Sequence, residues 1–188
     1  GKFLSAQPRQ RWRTRSTATA KRSPVVTTKL QAAEARELGG CACGAVRYVM
    51  NATPILSYAC HCTDCQHLTG SAFILSAWIE KTEVELLSGD LTACKLSTGE
   101  HGSTVHFCPR CGTSIWTEDS PGFWFVRLTT LDNQTAYPPD MHIFTRSKQP
   151  WLNLSDAVPV FENYYDRETD WPAEKLARYR AVAEAVAG

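Results

Sequence analysis

Short apolar and β-branched runs alternate with turn residues from residue 40 to residue 128. The segments predicted to form strands are 45–50, 55–60, 72–79, 84–88, 93–97, 103–107, 114–117 and 123–128. Between them lie turn sequences such as Ser88-Gly89-Asp90, Thr98-Gly99-Glu100 and Ser120-Pro121-Gly122. Many short strands at this spacing predict a mainly β domain with antiparallel sheets.

Helical patterns flank the β region on both sides. Residues 28–38 have Leu30, Glu34 and Leu38 at a spacing of four, followed by two glycines, which predicts a short helix. Residues 170–187 predict a longer helix, with Asp170 as its cap and Pro172 in its first turn. The apolar stripe of this helix consists of Leu176, Tyr179, Val182, Ala183 and Val186.

Two further segments have a weaker pattern. Residues 65–69 predict a single helical turn between two strands. Residues 132–162 are rich in proline and predict an irregular segment, which Phe144, Trp151 and Phe161 would anchor onto the sheets.

Charge is distributed unevenly along the 188 residues. Residues 1–33 hold eight Lys or Arg and no acidic residue, whereas the remaining 155 hold 12 basic and 19 acidic residues, a net charge of −7. An Arg-, Ser- and Thr-rich arm without acidic residues is typical of a mitochondrial or plastid transit peptide, or of a segment that binds RNA. We therefore expect a mitochondrial location, with the cytoplasm as the alternative. No apolar run is long enough to span a bilayer.

Seven of the eight cysteines fall into three clusters. The clusters are Cys41-Ala42-Cys43, Cys60-His61-Cys62-Thr63-Asp64-Cys65 and Cys108-Pro109-Arg110-Cys111. Such short spacings suit metal chelation in a reducing compartment better than a disulfide framework. Disulfides and an iron–sulfur cluster are the other chemistries open to these thiols.

The first and third clusters predict one structural zinc site. A structural zinc takes four thiolate or imidazole ligands in a tetrahedron. Cys41, Cys43, Cys108 and Cys111 supply four thiols, and each pair is followed by a glycine that lets the backbone fold around the site. This zinc would tie the start of the domain to its middle.

The middle cluster leaves three thiols, Cys60, Cys62 and Cys65. Three protein ligands and an open fourth position are typical of a reactive zinc site, to which an exogenous thiolate could bind. The alternative is a closed structural site completed by His61 or His67.

The other candidate residues have simpler interpretations. Cys94 is predicted to be a small buried apolar residue. His106 is interpreted as a strand histidine, and Asp64 and Glu118 as solvent-facing carboxylates close to the cysteines.

Three sequence motifs carry a family resemblance. They are Gly40-Cys41-Ala42-Cys43-Gly44, Cys60-His61-Cys62-Thr63-Asp64-Cys65 with Thr69-Gly70-Ser71-Ala72-Phe73, and Phe107-Cys108-Pro109-Arg110-Cys111-Gly112-Thr113. With these motifs the chain resembles the glutathione-dependent formaldehyde-activating family, also called centromere-protein-V-like, over roughly residues 38–162. Val105 departs from the pattern, because members often carry a basic residue there.

The resemblance implies a β-tent fold, in which zinc gathers antiparallel sheets. It implies a structural zinc on Cys41, Cys43, Cys108 and Cys111, and a second, labile zinc on Cys60, Cys62 and Cys65 that meets the glutathione thiol. Those last three residues would then be the catalytic ones. The implied domains are a basic extension (1–37), a zinc domain (38–165) and a C-terminal helical extension (166–188).

Two functions remain open at this point. The resemblance implies a carbon–sulfur lyase that acts on or binds glutathione or another thiol–aldehyde adduct, although no general acid or base is evident beside the cysteines. The alternative is a non-catalytic subunit of a large organellar assembly, such as the mitochondrial ribosome or a respiratory complex, with residues 1–37 contacting RNA or protein.

Overall fold

The computed structural model describes residues 36–96 and 103–188. Within these residues the chain forms ten strands and three α-helices. The strands are β1 (Glu37–Gly40), β2 (Arg47–Met50), β3 (Leu56–Cys60), β4 (Ile74–Glu80), β5 (Val84–Ser88), β6 (Thr92–Lys95), β7 (Thr104–Phe107), β8 (Ser114–Glu118), β9 (Phe123–Arg127) and β10 (Met141–Ile143). The helices are α1 (Thr63–Thr69), α2 (Arg167–Asp170) and α3 (Ala173–Ala187).

The strands form two sheets. A three-stranded sheet has the order β1-β2-β5, and a seven-stranded sheet has the order β10-β3-β4-β9-β8-β7-β6. The mainly β fold is thus confirmed, and each segment predicted to be a strand overlaps one. Strand β10 pairs in parallel with β3, so the expectation of purely antiparallel sheets is wrong at that edge. The parallel pairing is possible because 80 residues of chain separate the two strands and allow a crossover connection.

Both faces of the seven-stranded sheet are buried at its central strands, because apolar residues occupy both faces there. Along β9, Phe123 and Phe125 contribute to one core, whereas Val126 contributes to the other. The same alternation in β4 places Trp78 in the first core and Ala77 in the second. The first core is completed by the C-terminal segment, and the second includes residues of the three-stranded sheet.

Helix α3 packs against the first core. Leu176 is buried there, and the Tyr179 ring stacks on Phe123 with centroids 5.1 Å apart. The helix begins after Pro172 rather than at Asp170, which ends the separate short helix α2. Asp170 was therefore wrongly predicted as its cap. Pro172 allows this break because it lacks the amide hydrogen that a continuous helix would require.

Three other expectations are wrong. Cys94 is exposed, because β6 is the edge strand of its sheet and all four of its residues face solvent. Trp151 is 69% exposed and anchors nothing, whereas Phe144 and Phe161 do pack on the first core. The end of the predicted helix at 28–38 is strand β1, where Leu38 pairs with Val49.

The remainder of that predicted helix and the basic arm lie outside the described residues. The predicted extent of the three domains stays a prediction. Among the described residues, no helix is both long and apolar enough to cross a lipid bilayer.

Candidate metal centres

The first candidate centre contains the thiols of Cys41, Cys43, Cys108 and Cys111, whose sulfur atoms all lie within 4.8 Å of one another. Cys41 follows β1 and Cys108 follows β7, so the centre joins the three-stranded sheet to the seven-stranded sheet. The structure therefore brings together the four thiols that the predicted zinc would join, from the start and the middle of the domain.

Both halves of this centre have the same backbone design. The amide of Cys41 donates to the carbonyl of Val46 at 3.1 Å, and the amide of Cys108 donates to the carbonyl of Thr113 at 2.9 Å. Each loop then turns through a glycine in the left-handed region, Gly44 and Gly112, both with φ of 74°. This repeated loop turns each pair of thiols toward the same point.

The sulfur spacing fits zinc. Four sulfurs at about 2.3 Å from a tetrahedral zinc lie about 3.8 Å apart. The Sγ atoms of Cys41 and Cys43 are 3.5 Å apart, and those of Cys43 and Cys108 are 3.8 Å apart. Hydrogen bonds from the side chain and backbone of Thr113 lower the pKa of Cys111 to about 5, which favours the thiolate form that binds metal.

The second candidate centre contains Cys60, Cys62 and Cys65, again with all sulfurs within 4.8 Å of one another. Cys60 ends β3, Cys62 is the residue that caps α1, and Cys65 lies in the first turn of that helix. The Cys65 amide donates to Cys62 Sγ at 3.4 Å. The predicted single turn at 65–69 is thus a seven-residue helix, whose start brings the second and third thiols toward the first.

The thiols of this centre strongly affect one another's ionisation. Hydrogen bonds with Cys60 and Cys65 lower the pKa of Cys62, and the corresponding bonds raise the pKa of Cys65. The hydrogen bonds among the three sulfurs thus favour the thiolate form at Cys62, and a thiolate is the form that binds a soft divalent metal.

Neither histidine considered for this centre joins it. His61 is fully buried, and its Nε2 lies 3.0 Å from His142 Nδ1. Burial lowers the pKa of His61 to about 4, so its ring is neutral at pH 7. His67 is exposed on α1. Among the described residues, the metal-capable group holds the three cysteines and no histidine.

All eight cysteines fall within the described ranges, and all are free thiols. His106 lies on β7, and its ring packs against the rings of Trp116 and Trp124. This position agrees with its interpretation as a strand histidine. Glu118 forms an ion pair with Lys81.

A cavity of about 200 Å³ opens beside the three-thiol centre. Its walls include all three thiols, Asp64 and 13 further residues, of which only Val105 and Phe144 were singled out from the sequence. These 13 residues are Tyr58, Leu68, Ile74, Leu96, Ser103, Val105, Thr117, Asp119, Phe125, Arg127, Ile143, Phe144 and Tyr164. No comparable cavity was predicted, because its walls come from six strands, helix α1 and several loops that are distant in sequence.

Arg127 is the most unusual residue of this cavity wall. It is 7% exposed, and its two terminal nitrogens donate to Ser76 Oγ at 2.7 Å and to Thr117 Oγ1. Burial lowers the pKa of the guanidinium, and negative charge on Tyr58, Cys65 and Cys60 acts in the opposite direction. The cavity thus contains a buried cation although the apolar Val105 occupies the position where a basic residue was expected.

Comparison with known proteins agrees with this arrangement. Residues 36–147 match the family model described as glutathione-dependent formaldehyde-activating enzyme. The chain belongs to this family. The matched region contains all eight cysteines and both candidate metal centres.

One solved structure similar to the chain is the crystal structure of a Rhodobacter sphaeroides protein from a structural genomics programme. It is 19% identical in sequence, with a TM-score of 0.41, and the alignment covers 65% of this chain and 98% of that one.

Proposed function

We propose that the protein binds zinc at both cysteine centres, and that the three-thiol centre binds the sulfur of glutathione or of another small thiol and its aldehyde adduct. The activity would be of the carbon–sulfur lyase type. The observation that supports this function is the position of the centre. Three thiols lie within 4.8 Å of one another in the wall of a cavity of about 200 Å³, and no fourth ligand from the described residues closes the group.

The two centres would have different roles. The four-thiol centre fits a closed structural zinc, because its ligands complete a tetrahedron and join two sheets. When bound at the three-thiol centre, zinc would offer a fourth coordination position and lower the pKa of a thiol held there. Cys60, Cys62 and Cys65 would hold that metal at the cavity wall, where a ligand can approach from the open side.

Other cavity residues would transfer protons and exclude water during the reaction. Addition of a thiol to an aldehyde joins sulfur to the carbonyl carbon and moves the thiol proton to the carbonyl oxygen. Asp64 and Asp119 are exposed carboxylates on the cavity wall and can accept or return that proton through water. The apolar side chains of Leu68, Ile74 and Phe125 would limit the access of bulk water.

Cobalt substitution tests the thiol-binding step. Co²⁺ would replace zinc in the full chain, and glutathione would be titrated while sulfur-to-cobalt charge-transfer absorption is recorded. We expect the charge-transfer absorption to increase by the amount of one further thiolate per chain. This increase in absorption should be lost in Cys65→Ser but retained in Cys94→Ser. If glutathione leaves the spectrum unchanged, the proposed thiol site is wrong.

Exchange spectroscopy by NMR tests the reaction itself. Formaldehyde and glutathione combine without a catalyst, so the quantity to measure is the exchange rate between glutathione and its S-hydroxymethyl adduct. We expect the zinc-loaded protein to accelerate this exchange and Cys65→Ser not to do so. Equal exchange rates with and without the wild-type protein would show that the protein is not a lyase and can only bind the thiol.

Membership of a large assembly is the second candidate function. Trp151 favours it, because a tryptophan that is 69% exposed is typical of an interaction surface. Residues 1–37, and with them the mitochondrial location, stay predictions. Native mass spectrometry of the protein isolated from its source would decide between the two functions. Two zincs on a free chain would support the enzyme, and one zinc within a very large particle would support the subunit.

A further inference from the structure

Arg127 is a buried positive charge without a carboxylate partner among the described residues. No ion pair includes it, although six pairs form elsewhere in that part of the chain. Its Nη atoms donate to two neutral hydroxyls, and its Nε is buried without any hydrogen-bond partner. Buried charges are normally paired, because removing them from water is costly. An unpaired guanidinium in a cavity wall is therefore suited to bind an anion that enters the cavity.

The register of the sheet places this charge on the same face as the three-thiol centre. Arg127 on β9 lies opposite Ser76 on β4, and Ser76 lies opposite Tyr58 on β3. Cys60 is two residues beyond Tyr58 and therefore on the same face. With strands about 4.8 Å apart and about 3.4 Å per residue, the Cα atoms of Arg127 and Cys60 are roughly 12 Å apart. Both residues line the same cavity.

The acidic residues of the cavity do not neutralise Arg127. Asp64 and Asp119 are both exposed, and neither forms an ion pair with it. Asp119 instead accepts a hydrogen bond from Ser103 Oγ at 2.8 Å. The Ser76 and Thr117 hydroxyls fix the orientation of the guanidinium without changing its charge. The group is thus held ready for a planar anion, which an arginine can bind through two parallel hydrogen bonds.

We infer that Arg127 binds a carboxylate of the thiol substrate, and that this contact selects thiols carrying a carboxylate over neutral thiols of the same size. The inference rests on the proposed thiol-binding function of Cys60, Cys62 and Cys65. The cavity is smaller than the 300–1,000 Å³ of typical sites for drug-sized ligands. It therefore encloses a thiol and one nearby carboxylate, while any larger part of the ligand would extend to the open side.

A matched pair of thiols tests this inference. 3-Mercaptopropionate and 3-mercaptopropionamide have nearly the same size and differ in charge. Both would be titrated calorimetrically into the zinc-loaded full chain, as wild type, Arg127→Met, Arg127→Lys and, as a control, Arg180→Met. Because the two thiols also differ in acidity, the decisive quantity is how their affinity ratio changes between wild type and Arg127→Met.

We expect wild type to prefer the carboxylate at least tenfold, Arg127→Met to lose that preference, and Arg127→Lys to retain part of it. Arg180, which is more than half exposed on α3, should behave as wild type. An unchanged ratio in Arg127→Met would overturn the inference. The inference would also be overturned if Arg127→Met weakened the binding of both thiols equally and lowered the affinity for zinc. Arg127 would then only balance the charge of the metal centre.

Two further measurements keep the test decisive. If Arg127→Met does not fold, the affinity ratio of the two thiols is compared between wild type and Thr117→Val instead. Removing the Thr117 hydroxyl should reduce the preference for the carboxylate thiol. If neither thiol binds wild type, the proposed function fails, and propionate decides the anion site alone. Propionate, but not propionamide, should then raise the Tm of wild type, and the absence of any shift would overturn the inference.

Discussion

Arg178 on α3 donates to both carboxylate oxygens of Glu80, from Nε to Oε1 and from Nη2 to Oε2, at 2.5 Å each. Its remaining Nη donates to the carbonyl of Thr53 at 2.6 Å. Glu80 ends β4 and is 7% exposed, so this contact fastens the C-terminal helix to a central strand.

The first prediction concerns this contact. Arg178→Ala should lower the free energy of unfolding by about 2 kcal/mol, because it leaves a nearly buried carboxylate without its partner. The control is Arg180→Ala, which removes an ion pair to Glu168 between side chains that are more than half exposed and should cost about 0.5 kcal/mol or less. Urea unfolding of the zinc-loaded proteins measures both. Equal losses would show that α3 is not held through Glu80.

The second prediction distinguishes the two metal centres by zinc content and stability. Cys111→Ser should lose one zinc and at least about 3 kcal/mol of stability, roughly 6–12 °C in Tm, because structural metal binding contributes directly to folding. Cys65→Ser should lose the other zinc with a smaller change in Tm, since its centre lies beside a cavity rather than between the sheets. Cys94→Ser should keep both.

Elemental analysis and thermal unfolding of the purified variants provide these values. Retention of two zincs by Cys65→Ser would contradict a second metal site, and a harmless Cys111→Ser would contradict the structural role of the first.

The third prediction concerns acid. Arg47 contacts Asp132 through two hydrogen bonds, of 2.8 and 2.5 Å, and these bonds lower the pKa of the Asp132 carboxyl. A carboxyl with a lowered pKa in the folded state stabilises the protein above its unfolded pKa of about 3.9 and loses that effect as pH falls through the lower folded value. The stabilising effect is therefore complete at neutral pH.

Asp132→Asn should accordingly cost about 0.5 kcal/mol at pH 7, a small value because the pair is largely exposed. The difference between wild type and variant should shrink below pH 4. Taking this difference removes the contribution of cysteine protonation, which is common to both proteins. A difference that grows on acidification would have the wrong sign for this ion pair.

The fourth prediction concerns the turn before β9. Gly122 has φ of 82°, and a Cβ built on it would lie 2.9 Å from both Val182 Cγ1 and Val186 Cγ2 of α3. Gly122→Ala should cost about 2–3 kcal/mol, because it combines a left-handed backbone with a clash against the helix.

Gly70→Ala is the matched control, since Gly70 has φ of 61° with nothing near its Cβ position, and it should cost about 1 kcal/mol. Denaturant unfolding of the two variants compares them. If Gly70→Ala is the more damaging substitution, α3 does not pack tightly against this turn.

The cysteine spacing predicted the two thiol clusters well because short loops largely determine the positions of their own thiols. The pairing of Cys41 and Cys43 with Cys108 and Cys111 followed from counting ligands, and the structure brings these four together. The eight predicted strands succeeded for a similar reason, because apolar runs and turn residues act locally.

The errors arose where neighbours distant in sequence decide the outcome. Strand β1 contains two glycines and β10 has three residues, so neither shows a strand pattern, and their pairing with β2 and β3 makes them strands. Cys94 was expected to be buried, but its strand lies at a sheet edge, which the pattern within β6 does not reveal.

Arg127 illustrates the limit most clearly. In sequence it is an arginine at the end of an apolar run, a common position for a charge that reaches solvent. Its burial depends on Ser76 and Thr117, which β4 and β8 bring to either side of it. The apolar run before it was the available signal, because a strand buried on both faces leaves a terminal arginine little room to reach water.

The four-thiol centre also limits when the two sheets can be joined during synthesis of the chain. Its first ligand is Cys41 and its last is Cys111, so at 5–20 residues per second a ribosome needs about 4–14 s to add the intervening residues. Until then the emerging chain carries unpaired metal-binding thiols and an unjoined first sheet. Zinc bound there, as we propose, would therefore join the two sheets before residues 112–188 are added, and these residues include β8, β9, β10 and α3.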